Sequence, residues 1–251
     1  MPRTFDPCCR PFRVVSPVAV ALVLSALAAS ALVPAAVAAP AAEPDPFKPV
    51  YGRKGESSIG ILFGVGWYDN ADINATLAEI GVEPIETGFE YGVQYRRRLS
   101  RYFSLGAELT RLDGRSTTIE GGGGSEFGIA GTPLFIDAFV HPLQLGGASL
   151  TLFAGGGPVF AIRVSQTYPD GYVVEGKQTS FGWHAGAEGE ARFGENFGFF
   201  IRGLTRRAGA DDIILSSDPT LEPVRFDVDF NGPAVTFGPV WHWGGQGAGA
   251  P

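Results

Sequence analysis

The chain has 251 residues, a formal charge of −7 and only 18% charged residues. A low charge density with a mildly positive mean hydropathy suits neither a helical membrane protein nor a disordered chain. The acidic balance excludes nucleic acid as an expected partner, since no basic patch interleaved with aromatics accompanies it.

The chain opens on a secretory pattern. Arg3, Arg10 and Arg13 precede an apolar run from Val14 to Ala39, and Ala36-Val37-Ala38 offers a small-x-small cleavage site. Residues 1–38 are therefore expected to be a cleaved signal peptide, with a Pro-rich linker over 39–55. The rival, an uncleaved helical anchor, is disfavoured by Pro17, Pro34 and the alanine-rich end of the run. Cys8 and Cys9 both precede that run, so cleavage leaves no cysteine for disulfides or lipidation.

Beyond the linker no segment stays apolar for 18 residues, and a period of two takes over. In SIGILFGVGWY, Ile59, Ile61, Phe63, Val65 and Trp67 alternate with Ser58, Gly60, Leu62, Gly64 and Gly66. The next segment, DNADINATLAEIGVEP, places Ile73, Leu77 and Ile80 at helical spacing and predicts a short helix over about 71–80. The expectation is a loop packing over the end of the strands, with a ligand-contacting cap as the alternative. Alternation resumes at Phe89–Tyr95, Phe103–Leu109, Leu134–Val140, Leu150–Ala154, Phe181–Phe193 and Phe197–Thr205. Phe135 and Phe139 break the fourth pattern, because they share the face of Asp137 and His141. The last strand is expected from about Phe226 to Trp243, with a bulge at Asn231-Gly232-Pro233 where the apolar parity changes.

Eight strands result. The connections LSRY, QLGGA and GEN are short, and those after strands one, three, five and seven are long and polar or glycine-rich. Strict short–long alternation predicts an all-β, up-and-down antiparallel barrel with every long loop at one end; a Greek-key sandwich would not produce it. The orientation follows from the small face. Glycines such as Gly60, Gly64, Gly92 and Gly186 cover little in a solvated wall but suit a crowded lumen, so the greasy face points to lipid. Trp67, Phe89, Tyr91, Phe181 and Trp183 cluster at the long-loop end. Phe103, Phe193, Phe197, Trp241 and Trp243 cluster at the other, as two membrane interfaces require.

The segments AELTRL, LFAGGGPVF and FGWHAGAEGEARFGENFGFFIRG resemble the small outer-membrane β-barrel superfamily of OmpA-like and opacity-like domains. In the last segment, Phe181-Gly182-Trp183, Gly186, Gly189 and Glu195-Asn196 match the penultimate hairpin typical of that family. The resemblance spans about Ser57 to Trp243. It implies an outer-membrane location after export through the periplasm. Its implied partners are membrane lipid and lipopolysaccharide, the barrel-assembly machinery during insertion, and host or surface ligands at the long loops. The barrel is expected over 56–243, ending at the aromatic Trp243, with a Gly-rich tail over 244–251. No peptidoglycan-binding segment is expected there. A structural or surface-interaction role in envelope integrity or adhesion follows, with a narrow OmpW-like transport barrel as the alternative.

Parity assigns a polar lumen network: Glu90, Arg96, Glu108, Asp137, Arg163, His184, Glu188, Glu190, Arg192 and Arg202. His184 and Glu188 share a face but lie ~13 Å apart along a strand, so they form no local dyad. Lipid A deacylases and palmitoyltransferases occur among eight-stranded barrels, but Ser180 falls four residues before His184 and no serine neighbours His242. No catalytic site is expected. The three histidines lack paired spacing, and GVG and GGG lie inside strands, so neither a metal nor a cofactor is expected.

Overall fold

The computed structural model describes residues 54–79, 81–117, 126–145, 147–168, 171–215 and 224–245. The expected signal peptide, nearly all of the linker, the Gly121–Gly124 and Ser216–Pro223 loop segments and the tail beyond 245 lie outside these residues.

Eight strands close into one antiparallel barrel. They are β1 (Glu56–Trp67), β2 (Thr87–Arg98), β3 (Phe103–Thr117), β4 (Glu126–Leu145), β5 (Ala148–Thr167), β6 (Val173–Phe193), β7 (Phe197–Arg207) and β10 (Gly232–Gly244). Each pairs with its chain neighbour, β7 pairs with β10, and β10 returns to β1 in a continuous register from Glu56↔Gly244 to Gly66↔Ala234. Closure leaves no unpaired sheet edge, which is the condition for strands to lie in lipid.

The alternation sorts side chains by face. Ile59, Ile61, Phe63, Val65 and Trp67 are all exposed, while Ser58, Leu62 and the intervening glycines are buried. The barrel is thus inside-out relative to a soluble one: its exposed girdle is apolar and its interior is charged. Phe181 (73% exposed) marks one aromatic rim, and Phe193 (62%), on the same strand, marks the other. Among the described residues no helix is long and apolar enough to cross a membrane; crossing falls to the strands. That arrangement is the one strands need to span a membrane.

The strands differ in height. β1 and β2 have 12 residues each, whereas β4, β5 and β6 have 20, 20 and 21. A tilted strand needs about 9–11 residues to cross the bilayer, so β4–β6 continue well beyond the aromatic rim. Two elements fill the space beside this extension. The first is α1 (Ala71–Glu79), whose Ile73 and Leu77 are buried one turn apart. Its end is a Schellman motif: Gly81 sits at φ 72°, Val82 N–H donates to Leu77 and Gly81 N–H to Ala78. Asn74 Oδ1 accepts from Ile85 N–H at 2.8 Å, tying the loop back on itself.

The second element corrects an expectation. The stretch from Phe226 to Trp243 is not one bulged strand. β9 (Val224–Asp229) pairs with β8 (Gly209–Leu215) in a separate two-stranded sheet, and β10 starts only at Gly232. The parity change at Asn231-Gly232-Pro233 is the corner where the chain passes from the β8–β9 hairpin back into the barrel wall at β10. Phe230 N–H donates to Ala208, and Asn231 Oδ1 accepts from Ala208 N–H, so the corner keeps its hydrogen bonds. Gly232 is required there: its φ is 140°, and a Cβ would stand 2.1 Å from the Trp67 carbonyl oxygen.

The hairpin places Ile213, Phe226 and Val228 in one apolar cluster with Ile162, Val164 and Val174 of the tall strands and with Ile73 and Leu77 of α1. Tyr68 and Phe230 meet edge to face at 5.2 Å within that cluster. The first long loop therefore packs as a lid over the barrel, together with an unforeseen hairpin.

Candidate functional site

Beneath the apolar cluster the lumen is ionic. Among the described residues, six carboxylates, five guanidiniums and three imidazoles are buried within the barrel strands. Their pairing runs from mouth to base. Arg206 Nη2 donates to both oxygens of Glu90 at 2.8 Å, below Tyr68. Arg202 Nη1 donates to Glu108 at 2.7 Å and its Nε to Thr236 Oγ1 at 3.0 Å; its guanidinium also lies 4.9 Å from the Phe153 ring centre. Arg96 donates to Glu188 at 2.6 Å and stacks 4.2 Å over Phe139. At the base, Arg192 bridges Glu56 and Glu190, and His242 Nε2 stands 3.0 Å from Glu190.

The backbone explains why these partners meet. Asp137, Gly155 and His184 are successive register partners on β4, β5 and β6. Gly155 carries no side chain, so Asp137 and His184 reach across it and bond at 2.7 Å. A Cβ at Gly155 would lie 1.7 Å from Asp137 Oδ1. The central strand therefore needs glycine for the pair above it to form. Phe135 and Phe153 flank the imidazole, with ring centres at 4.6 and 5.3 Å. Of the two aromatics that break parity on β4, Phe139 thus lies against the Arg96 guanidinium and Phe135 packs at a tilt against the imidazole.

Nine of the ten residues assigned to the lumen by parity lie buried inside the barrel; Arg163 does not. Its guanidinium is on the outer wall of the β5–β6 extension, 3.4 Å from Glu175, which Lys177 also pairs. The cause is local. Ala161 adopts φ 49° and the β5–β6 register slips between Val159 and Ile162, so every side chain above that bulge changes face. Conversely, Glu56 and Arg206 join the network although the sequence pattern did not reach them. Each lies just beyond the residues over which alternation was read. His141 is held by Ser104 at 2.7 Å and Thr151 at 2.9 Å.

Two chemical readings can be tested on this geometry. Ser180 Oγ is buried without a hydrogen-bond partner, and His184 bonds Asp137, four residues further down the strand. Ser180 and His184 therefore do not form a nucleophile–base pair. Glu108, Asp137 and His184 do bring donor atoms within 4.8 Å of one another. Arg202 and Thr110 already occupy the two oxygens of Glu108, at 2.7 Å each. Asp137 Oδ2 is the one carboxylate oxygen of the trio without a partner. The trio is a node in the ion-pair network, with a guanidinium where a metal would need open coordination.

No protein-family model matches the sequence, and no curated protein sequence does. Solved structures do match. The outer membrane protein OprG from Pseudomonas aeruginosa aligns with TM-score 0.51 at 10% identity, over 77% of this chain and 98% of its own. Ail, the attachment invasion locus protein of Yersinia pestis, in complex with the heparin analogue sucrose octasulfate, aligns with TM-score 0.45 at 14% identity, over 76% and 99%. The N-terminal β-barrel domain of P. aeruginosa OprF aligns with TM-score 0.39 at 16% identity, over 76% and 99%. The fold is similar to that of a small eight-stranded outer-membrane β-barrel.

Proposed function

We propose that this protein is a closed, non-conducting barrel that serves as a structural and surface-interacting element of the outer membrane. The supporting observation is the filled interior. Paired charges occupy the lumen, the cluster of α1, β8 and β9 lies above them, and a pocket at the base has about 10 Å³, the space of one water. Tightly paired buried charges are costly to separate, so the plug resists opening. Lipid and lipopolysaccharide contact the apolar girdle. The barrel-assembly machinery reads the last strand, which ends with Trp241 and Trp243 exposed. Surface ligands meet the β4–β6 extension and the β8–β9 hairpin.

Planar-bilayer recording tests the reading. The expected result is no stepwise current from the purified, heat-modifiable barrel across a range of voltages. Reproducible single-channel conductance would instead support the transport alternative.

A further inference from the structure

Building on the outer-membrane reading above, we propose that the short-turn rim of the barrel holds the headgroup of an anionic phospholipid on its outer face, in a cradle of Arg97, Tyr95, Ser57 and Trp243. Trp243, Ser57 and Arg97 are successive register partners on β10, β1 and β2. The odd-numbered residues of β1 from Ile59 to Trp67 are all apolar and exposed on the outer face. Ser57 continues that row with a hydroxyl, yet it is only 5% exposed. Tyr95 and Trp243 flank it: their ring centres lie 6.3 Å apart, and the Tyr95 hydroxyl stands 3.3 Å from Ser57 Oγ. The Arg97 guanidinium engages the same tyrosine hydroxyl, and the residue is exposed.

Charge and place decide the occupant. Among the described residues Lys54, Arg97 and Arg101 are exposed at this end against one exposed acid, Glu195, and none of the three cations forms an ion pair. At the opposite end Arg115, Lys177 and Arg225 each have a carboxylate partner. Short turns of such barrels lie on the periplasmic side, and their aromatic rims sit at headgroup depth. A lipid phosphate there accepts from the Arg97 guanidinium and the Tyr95 hydroxyl, while the Trp243 ring lies along the glycerol. A zwitterionic lipid brings the same phosphate, but its ammonium group is repelled by Lys54 and Arg101. A headgroup of net negative charge is therefore selected. Without the flanking hydroxyls and unpaired cations, Arg97 would only extend to water.

The test is native mass spectrometry of the full chain, refolded in a non-ionic detergent and offered equal amounts of phosphatidylglycerol and phosphatidylcholine with the same acyl chains. Wild-type protein is expected to retain phosphatidylglycerol in several-fold excess. Arg97→Gln is expected to cut that preference about fivefold, the effect of losing one interfacial cation. Arg225→Gln, at the opposite end, is expected to leave it unchanged. Equal retention of the two lipids by wild type, or an unchanged ratio in Arg97→Gln, overturns the proposal. So does displacement of the bound lipid by excess inorganic phosphate, which would mark the cradle as a site for the free anion. Should Arg97→Gln fail to give the heat-modifiable folded band, tryptophan quenching in vesicles of brominated phosphatidylglycerol or phosphatidylcholine decides. Stronger quenching by the anionic lipid that Trp243→Phe removes supports the cradle; equal quenching, or an excess that survives Trp243→Phe, overturns it. A wild-type chain that gives no folded band in detergent would overturn the outer-membrane reading itself, and the lipid site with it.

Discussion

The ion pair between Arg202 and Glu108 is the sharpest place to test whether the lumen network holds the barrel together. Arg202 is 1% exposed and Glu108 is 4% exposed, so neither charge is screened by solvent. Replacing Arg202 by Met removes the 2.7 Å bond to Glu108, the 3.0 Å bond to Thr236 and the contact with the Phe153 ring. The dominant cost is the carboxylate left behind. An orphaned member of a buried pair costs about 3–5 kcal/mol, while the lost bond from the guanidinium to Thr236 adds about 1.5–3 kcal/mol. The unfolding equilibrium should therefore shift by at least about a thousandfold, taking ~1.4 kcal/mol per factor of ten. Removing both charges, as in Arg202→Met with Glu108→Leu, should recover most of that loss, because an apolar pair of similar volume replaces a pair that was expensive to desolvate. The assay is urea unfolding of the barrel in lipid vesicles, followed by tryptophan fluorescence and by heat-modifiable gel mobility. A single variant costing less than about 1 kcal/mol, or a double variant as unstable as the single, would refute the reasoning.

Two further outcomes follow from particular contacts. Gly155→Ala puts a Cβ where Asp137 Oδ1 stands, so it should separate Asp137 from His184 and cost about 1–3 kcal/mol of stability in the same urea assay; an unchanged midpoint would show that the strands shift freely. Leu77→Ala should loosen α1, whose Leu77 is fully buried, by about 2–5 kcal/mol locally, while the barrel remains folded. Hydrogen exchange should then rise over 71–85 with the folded gel band unchanged, and global unfolding would show that lid and barrel are one cooperative unit.

The sequence reading worked where strands keep strict alternation and failed where they do not. From Glu90 to Arg96, and from His184 to Arg192, every second residue faces the lumen, so parity alone placed those charges. Arg163 was misplaced because an alanine, not a glycine or proline, takes the left-handed conformation at the β5 bulge, and composition gives no sign of it. Phe135 and Phe139 were visible as exceptions on the polar face; only the packed structure shows that one packs against the His184 imidazole and the other against the Arg96 guanidinium. The corner at Asn231-Gly232-Pro233 was legible as a break, but a break in parity looks the same for a bulge and for a strand leaving the wall. Partner choice in the network was not legible at all, because Arg202 and Glu108 are 94 residues apart and meet only after the barrel closes.

The unequal strands also give the molecule a direction within the membrane plane. At ~3.3 Å per residue and a tilt near 40°, strands of 20 residues rise about 50 Å, against about 30 Å for strands of 12. The tall β4–β6 side forms a parapet on one flank, while β1 and β2 end near the aromatic rim on the opposite flank. Because the wall is continuous and its register is set by paired side chains, that slope cannot flatten without breaking the barrel. Molecules diffusing in the same leaflet thus meet a different silhouette depending on the side from which they arrive. A molecule approaching from the long-loop end reaches the raised flank first.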